Sequence, residues 1–401
     1  MYKIIRLKKL LLLFILCFTI IGNSQQTSTN FISLSNKAEI SVITCGPGNE
    51  VYAAFGHSAF RIEDKKNGID RVYNYGTFNF NTPNFYGKFA QGNLLYLLSA
   101  YDFNRFVGSY FKEGRWVKAQ VLDLKPSEVQ ACFEFLENNA LPENSPYLYD
   151  YFFDNCSTRL YDVIDEVVGE KLIIPETFKN SKGTHRSLIQ PYLVDKPWGD
   201  FGIDIALGSI IDREISMKEF LFLPENVFTF FDQLQIEENG KAHPFVKRTE
   251  TILSGPKINI SITILHPFLI FSIFFIIVVF ITRKDIKNKY RTRWLDFTLF
   301  FGFGLVGLML SLISFATNHA SAANNFNLLW AFAPNLLVSF VLLKKELPTW
   351  VHTYCLVLLI LMGLLLLIWL LQIQIFSNAV IPILLLLGYR YYYLWKLKPS
   401  S

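Results

Sequence analysis

The stretch Tyr149-Asp150-Tyr151-Phe152-Phe153-Asp154-Asn155-Cys156-Ser157-Thr158-Arg159-Leu160 puts a cysteine where a negative sulfur is stabilised. After Asn155 the apolar residues Leu160, Val163, Ile164, Val167 and Val168 recur at i, i+3, i+4, i+7 and i+8, and Gly169 closes the run. That spacing predicts an amphipathic helix. Asp154 or Asn155 suits its N-cap, so Cys156 falls in the first turn, where unpaired N–H groups and the positive dipole end favour a thiolate. A nucleophilic thiol also needs a base. The histidine that fits is His57, in Ala54-Phe55-Gly56-His57-Ser58-Ala59-Phe60-Arg61-Ile62. Asn74 and Tyr75, on the neighbouring strand, are candidates to orient its imidazole, and Asn155 adjoins the thiol.

Around this pair the sequence reads as short strands at 40–45, 57–62, 69–76 and 116–122, then helices at 126–139 and 156–168. Residues 82–110 mix a short helix, an apolar stretch at 94–98 and a second helix. Strands and helices are grouped more than alternated, which gives an α+β class. Residues 1–24, with a basic start and an apolar core, read as a cleaved signal peptide, an uncleaved anchor being the alternative. Residues 25–255 then form an exported domain. Its odd cysteine count, Cys45, Cys132 and Cys156, leaves at least one free thiol. Cys132 reads as a buried hydrophobe, and Cys45 as core or a disulfide partner.

Several residues have a bland reading. Asp200, Asp204 and Asp212 read as solvated or capping, with lining a site as the alternative, and His185, in a polar loop, as a surface residue, with a catalytic role as the alternative. Phe78, Phe80, Phe85, Phe89 and residues 94–98 read as core, with a water-excluding wall as the alternative.

The chain is 51% hydrophobic and 16% aromatic, and the apolar content is unevenly placed, with long apolar spans after residue 263. Apolar spans at about 263–282, 295–315, 327–343, 350–371 and 379–395 approach the roughly 20 residues that cross a bilayer. The third and fifth are short, which leaves four spans as the alternative. Residues 283–293 hold six basic residues against one acid, so this loop is expected on the cytoplasmic side. A helical membrane domain at 263–395 follows, with the C-terminus cytoplasmic. Asn318 and His319 then lie outside, near the exported domain. Much of the net charge of +5 sits in that one loop, so it offers nothing to nucleic acid.

A thiolate–imidazolium pair attacks an ester or amide to give a thioester, which water or an amine resolves. Gly56-His57-Ser58 on a strand, followed by Asn155-Cys156 opening a helix, resembles the circularly permuted papain-like proteins, which include NlpC-type amidases and lecithin:retinol acyltransferase. More closely, residues 38–230 resemble the Lnb N-terminal periplasmic domain family through Phe55 to Ile62, Tyr73-Asn74-Tyr75-Gly76, Asp154 to Arg159 and Gly202 to Gly208. The resemblance implies a lipoprotein N-acyltransferase of the inner membrane. Cys156 would take an acyl chain from a phospholipid, His57 would serve as base and acid, and the α-amine of a diacylglyceryl-cysteine lipoprotein would accept the chain. No cofactor or metal is needed, because the phospholipid ester already supplies an activated acyl group. The alternatives are an exported cysteine hydrolase, acting as peptidoglycan amidase or lipase, and a non-catalytic membrane assembly protein.

Overall fold

The β-branched and aromatic runs of the exported half pair into a single antiparallel sheet. The computed structural model describes residues 31–179, 183–255 and 265–397; the expected signal peptide lies outside them. Among the described residues, β1 (Glu39–Cys45), β2 (His57–Asp64), β3 (Ile69–Thr77), β4 (Leu95–Asp102), β5 (Val117–Leu122) and β6 (Pro146–Leu148) join a last strand, β10 (Val246–Leu253), in one sheet. Its order is β10-β5-β1-β2-β3-β4-β6. Three short strands, β7 (Leu172–Ile173), β8 (Gln235–Glu238) and β9 (Lys241–Pro244), form a separate small sheet. β1 is central, and Ile40, Val42 and Ile43 on it are fully buried.

The strands expected from sequence are all present, as are helices Pro126–Asn139 and Cys156–Val168. Residues 82–110 resolve into helix Phe85–Ala90, strand β4 and helix Phe103–Lys112. The Cys156–Val168 helix lies against β2 and β3, with Leu160, Val163 and Ile164 buried. The domain is therefore α+β, with the helix start carried to the edge of the His57 strand.

Among the described residues, three of the later helices are long and apolar enough to cross a membrane: Pro267–Asn288, Arg293–Ala316 and Trp350–Leu370. Val380–Lys396 is a shorter fourth. The expected third span, 327–343, is not one helix. A turn of 3-10 helix at Phe326–Leu329 gives way to an irregular stretch before the seven-residue helix Asn335–Val341. Pro334 explains the break, since it has no N–H to donate and crowds the preceding turn. Irregular backbone at this depth is tolerated only where protein covers it. Gly304 and Gly307 on the neighbouring span provide the cover. A Cβ on Gly304 would fall 2.3 Å from the Leu336 nitrogen, and one on Gly307 would fall 2.0 Å from the Ala331 oxygen. Such close backbone approach is what small residues permit in membrane bundles. At the other end of the bundle, Arg390 pairs with Asp296 at 2.6 Å and Asp285 at 2.9 Å, all three side chains buried.

From Leu34 onward the described residues form one unit, so the membrane helices and the exported domain share contacts. Asn325 Nδ2 donates to the carbonyls of Ile205 and Ala206, and Asn327 Nδ2 to that of Asp204. These are the last carbonyls of helix Pro197–Ala206, groups that a helix cannot satisfy itself.

The glycine contacts yield a paired prediction. Gly307→Leu should cost about 3 kcal/mol or more, since its neighbour is backbone and cannot rotate away. Gly302→Leu, two residues from Gly304 and so on the opposite face of the helix, exposed with nothing within 4 Å, should be close to neutral. Detergent thermal-shift midpoints of the two variants check this. Equal midpoints would refute the close-approach account.

Candidate active site

Asn155 fixes the start of the Cys156 helix. Its Oδ1 accepts from the N–H groups of Ser157 at 2.8 Å and Thr158 at 3.0 Å. Its Nδ2 donates to the Tyr151 and Phe222 carbonyls, both at 2.7 Å. Thr158 closes the box by accepting from the Asn155 N–H at 2.9 Å. A cap of this kind contributes about 1 kcal/mol, and here it also locks the first residue of the helix, Cys156, in place. Arg159 holds Asp154 through two hydrogen bonds, and the Ser157 hydroxyl donates to that of Ser58 at 3.3 Å. The first contact braces the helix start against the preceding loop, and the second ties it to β2.

On β2, His57 follows Gly56, whose φ of +82° suits glycine and whose Cβ would meet the Cys45 carbonyl at 2.7 Å. The turn at Gly56 delivers His57 to Cys156. The imidazole and thiol line the same cavity, close enough that the charge of each acts on the other. His57 Nε2 lies 2.5 Å from Asn74 Oδ1, while Asn74 Nδ2 donates to Tyr101 Oη at 2.6 Å. Because the Asn74 amide is committed to Tyr101, its oxygen must face the ring. Nε2 therefore carries the proton, and Nδ1 is left to the thiol.

Electrostatics follow from this contact. Burial pushes the Cys156 thiol up, but the His57 charge and hydrogen bonds from His57, the Ser58 N–H and Ser157 outweigh it, and the thiol sits below its ordinary value. Burial likewise lowers an imidazole, yet the charge of Cys156 and hydrogen bonds to Cys156 and Asn74 leave His57 raised. Each group stabilises the charged form of the other. Cys45 and Cys132, equally buried and without an imidazole, move the opposite way; Cys132 is pushed up to about 12. All four described cysteines are free and buried, which removes the disulfide reading of Cys45.

The pair opens onto a cavity of about 1080 Å³ whose wall is mainly apolar. That is slightly above the ~300–1,000 Å³ of clefts holding drug-sized ligands. Phe78, Phe80 and Phe89 line one side, the Gly199, Gly202, Ile203 and Ala206 face of helix Pro197–Ala206 another, and Asn318, His319 and Ser321 of the membrane portion a third. The phenylalanines are not core, since Phe80 and Phe89 are more than half exposed.

Two family models match the chain: the Lnb N-terminal periplasmic domain over residues 26–188 and the Lnb transmembrane domain over residues 259–400. The chain belongs to the Lnb family. Neither a search of curated proteins nor one of solved structures returns a match. The protein thus has a periplasmic N-terminal domain and a multi-pass membrane portion, whose family model counts five transmembrane helices.

Within this Lnb-family chain the sequence-derived candidates take different places. Asn74 meets His57. Tyr75 does not, because its hydroxyl donates to Asn139 at 2.8 Å on the far side of β3. Asn155 touches the helix start and not the ring. His185 is buried, contrary to its polar neighbours in sequence, because Phe152, Phe153 and Phe222 close around it, and burial lowers its pKa to about 4. Asp204 and Asp212 are buried as well, both paired with Arg186 at 2.6 and 2.7 Å. Sequence reasoning missed Arg186 and the stacked Tyr96–Tyr149 rings, 4.5 Å apart, beside the thiol. The pairing of Arg186 with an Asp-x7-Asp spacing was the one available signal.

The opposed shifts predict selective, pH-dependent alkylation. A lowered thiol keeps its thiolate on the acid side of the ordinary value near ~8.5 and loses it only as pH falls further. Iodoacetamide should therefore label Cys156 ahead of Cys45 and Cys132, with a rate midpoint below that value. In His57→Gln, burial is opposed only by the contributions of Ser58 and Ser157, and the midpoint should move above it. Mass-spectrometric labelling rates across pH test this, and an unmoved midpoint would refute the coupling.

Proposed function

We propose that this Lnb-family chain is a membrane-bound thiol acyltransferase that moves an acyl chain from phospholipid, through a thioester on Cys156, to the α-amine of a diacylglyceryl-cysteine lipoprotein. One observation carries this reading. A thiol lowered by an oriented imidazole lies in an apolar cavity whose walls come partly from the membrane portion.

In the proposed reaction the Cys156 thiolate attacks the ester carbonyl carbon. The tetrahedral intermediate expels the lysophospholipid oxygen, which takes its proton from the His57 imidazolium. Neutral His57 then removes a proton from the attacking amine, the C–N bond forms, and the thiolate leaves to restore the ion pair. Asn74 keeps Nδ1 facing the sulfur throughout. For the oxyanion, the N–H groups of Ser157 and Thr158 are already taken by Asn155. The Cys156 N–H donates to no described group. The Tyr151 hydroxyl, buried in the cavity wall, also has no partner among the described residues. Burial and the nearby Cys156 charge keep that phenol protonated, as a donor must be. These two are the donors assigned to the oxyanion.

Purified protein incubated with phospholipid should accumulate a hydroxylamine-sensitive acyl adduct on Cys156 that is lost to a diacylated lipopeptide. Cys156→Ser should abolish both steps. Lysophospholipid release without an acceptor, and without adduct transfer, would favour a lipase instead. Tyr151→Phe should lower kcat about 10²-fold with KM little changed.

The cavity also predicts chain-length control. A Cβ on Gly202 meets nothing within 4 Å, and the position faces the cavity from within a helix. Gly202→Phe should raise the thermal midpoint or leave it unchanged, since glycine costs about 1 kcal/mol in a helix. It should also cut turnover of sixteen-carbon donors far more than eight-carbon donors. A uniform effect on both lengths would mean that the acyl chain lies elsewhere.

A further inference from the structure

An aromatic cluster on the exported domain packs mainly on itself, its ring contact with the rest of the described fold being Phe78 on Tyr96 at 5.5 Å. Phe78, Phe80, Phe85, Tyr86 and Phe89 stack ring on ring, with centroids 5.0 Å apart for Phe78–Phe80 and Phe80–Phe85 and 5.3 Å for Phe85–Tyr86. Four of them remain open, from 40% exposed at Phe78 to 80% at Tyr86. A contiguous patch of this kind on a soluble domain marks an interaction surface.

Its position is set by hydrogen bonds to the membrane portion. The Asn318 N–H donates to the Gln91 carbonyl at 2.9 Å, and Asn318 Nδ2 to Asn93 Oδ1 at 2.6 Å. Gln91 directly follows helix Phe85–Ala90, and Asn318 follows by two residues the end of the candidate span Arg293–Ala316. The aromatic helix is therefore pinned at the level where a span leaves the bilayer. The opposite cavity wall is pinned the same way. Trp198 Nε1 donates to the Leu265 carbonyl at 2.7 Å, and Phe201 packs on Phe271 at 5.3 Å, both at the start of the span Pro267–Asn288. Tyr and Trp rings prefer this depth.

We infer that the cavity opens sideways onto the periplasmic leaflet between helices Phe85–Ala90 and Pro197–Ala206, with Phe80, Tyr86 and Phe89 seated among lipid acyl chains. Phe78, Phe80 and Phe89 belong both to the exposed patch and to the wall of the cavity that holds Cys156. An acyl chain can pass along them from leaflet to thiol without entering water. The seating is physical and independent of chemistry, while its use for delivering an acyl donor rests on the acyltransferase reading.

The test uses the full chain in nanodiscs of phosphatidylethanolamine and phosphatidylglycerol, with Cys156→Ser removing the reactive thiol. Spin labels are placed through Phe80→Cys, Tyr86→Cys and Phe89→Cys. Lys65→Cys, in the charged turn after β2, is the aqueous reference. Collision rates are compared for oxygen, which concentrates in the bilayer, and a nickel chelate, which stays in water. The expected oxygen-to-nickel ratio at the three aromatic sites is several-fold above that at position 65. Ratios equal to the reference at all three would overturn the proposal and leave acyl transfer untouched. A second measurement keeps the inference separable. Tyr86→Asp in the active protein should lower the turnover of vesicle phospholipid relative to monomeric short-chain phospholipid several-fold, and an unchanged ratio would count against a leaflet route. Absence of acyl transfer from any donor would sink the enzymatic reading while the collision ratios remained readable.

Discussion

Two opposite charges can persist inside an apolar cavity only when each replaces the hydration the other has lost, and the contact between Cys156 and His57 meets that condition. The loss of hydration is severe for an isolated ion. Cys132 illustrates the default, a buried thiol driven up by desolvation with nothing to oppose it. What reverses the sign at Cys156 is chiefly the charge of the neighbouring His57 imidazole, so the site depends on how the two side chains are placed. The fold supplies that through rigid groups. Asn155 fixes the helix start, Gly56 allows the strand to turn beside the Cys45 carbonyl, and the Asn74–Tyr101 hydrogen bond settles which way the amide points.

The boundary between the exported and membrane portions obeys a second constraint. Helix Pro197–Ala206 ends with carbonyls that need donors, and these come from Asn325 and Asn327, beyond the second span. Gly208 is required at the same boundary, since a Cβ there would lie 1.9 Å from the Ala323 oxygen. Gln374, between the last two helices, adds a further tie by accepting from the Phe326 N–H at 2.8 Å. The wall of the cavity is thus finished by residues more than a hundred positions away, and the exported half without them would carry unsatisfied buried groups. This gives the membrane portion a role in shaping the site beyond holding the chain at a bilayer.

Local signals explain what could be read in advance. The strands around His57 and the helix behind Cys156 follow period-2 and period-3.6 patterns, and both appear at the expected places. Asn74 was legible as a neighbour on the next strand, but alternation alone could not separate it from Tyr75, which points to the opposite face. His185 and the Asp204–Arg186–Asp212 group were misread because their partners, Phe152, Phe222 and one another, come together only through tertiary packing. The broken third span was missed for a related reason. Hydropathy reports how apolar 327–343 is, whereas Pro334 and the accommodating Gly304 and Gly307 decide its shape.

The proposed chemistry explains why so much of the cavity is apolar. A thioester is open to attack by water at ~55 M as well as by an amine that is scarce, so selectivity requires exclusion of the abundant competitor more than attraction of the rare one. A cavity that receives both substrates from the leaflet does this with a single geometry. The donor's acyl chain fills the space that water would occupy, and the lysophospholipid leaves by the route the acceptor then uses. Because the acceptor carries its own acyl chains, it can replace the departing lipid without the wall of Phe80 and Phe89 ever having to part for solvent. On this account the apolar lining, the oriented imidazole and the seam to the membrane helices serve one requirement, which is to keep a reactive acyl group dry until an amine reaches it.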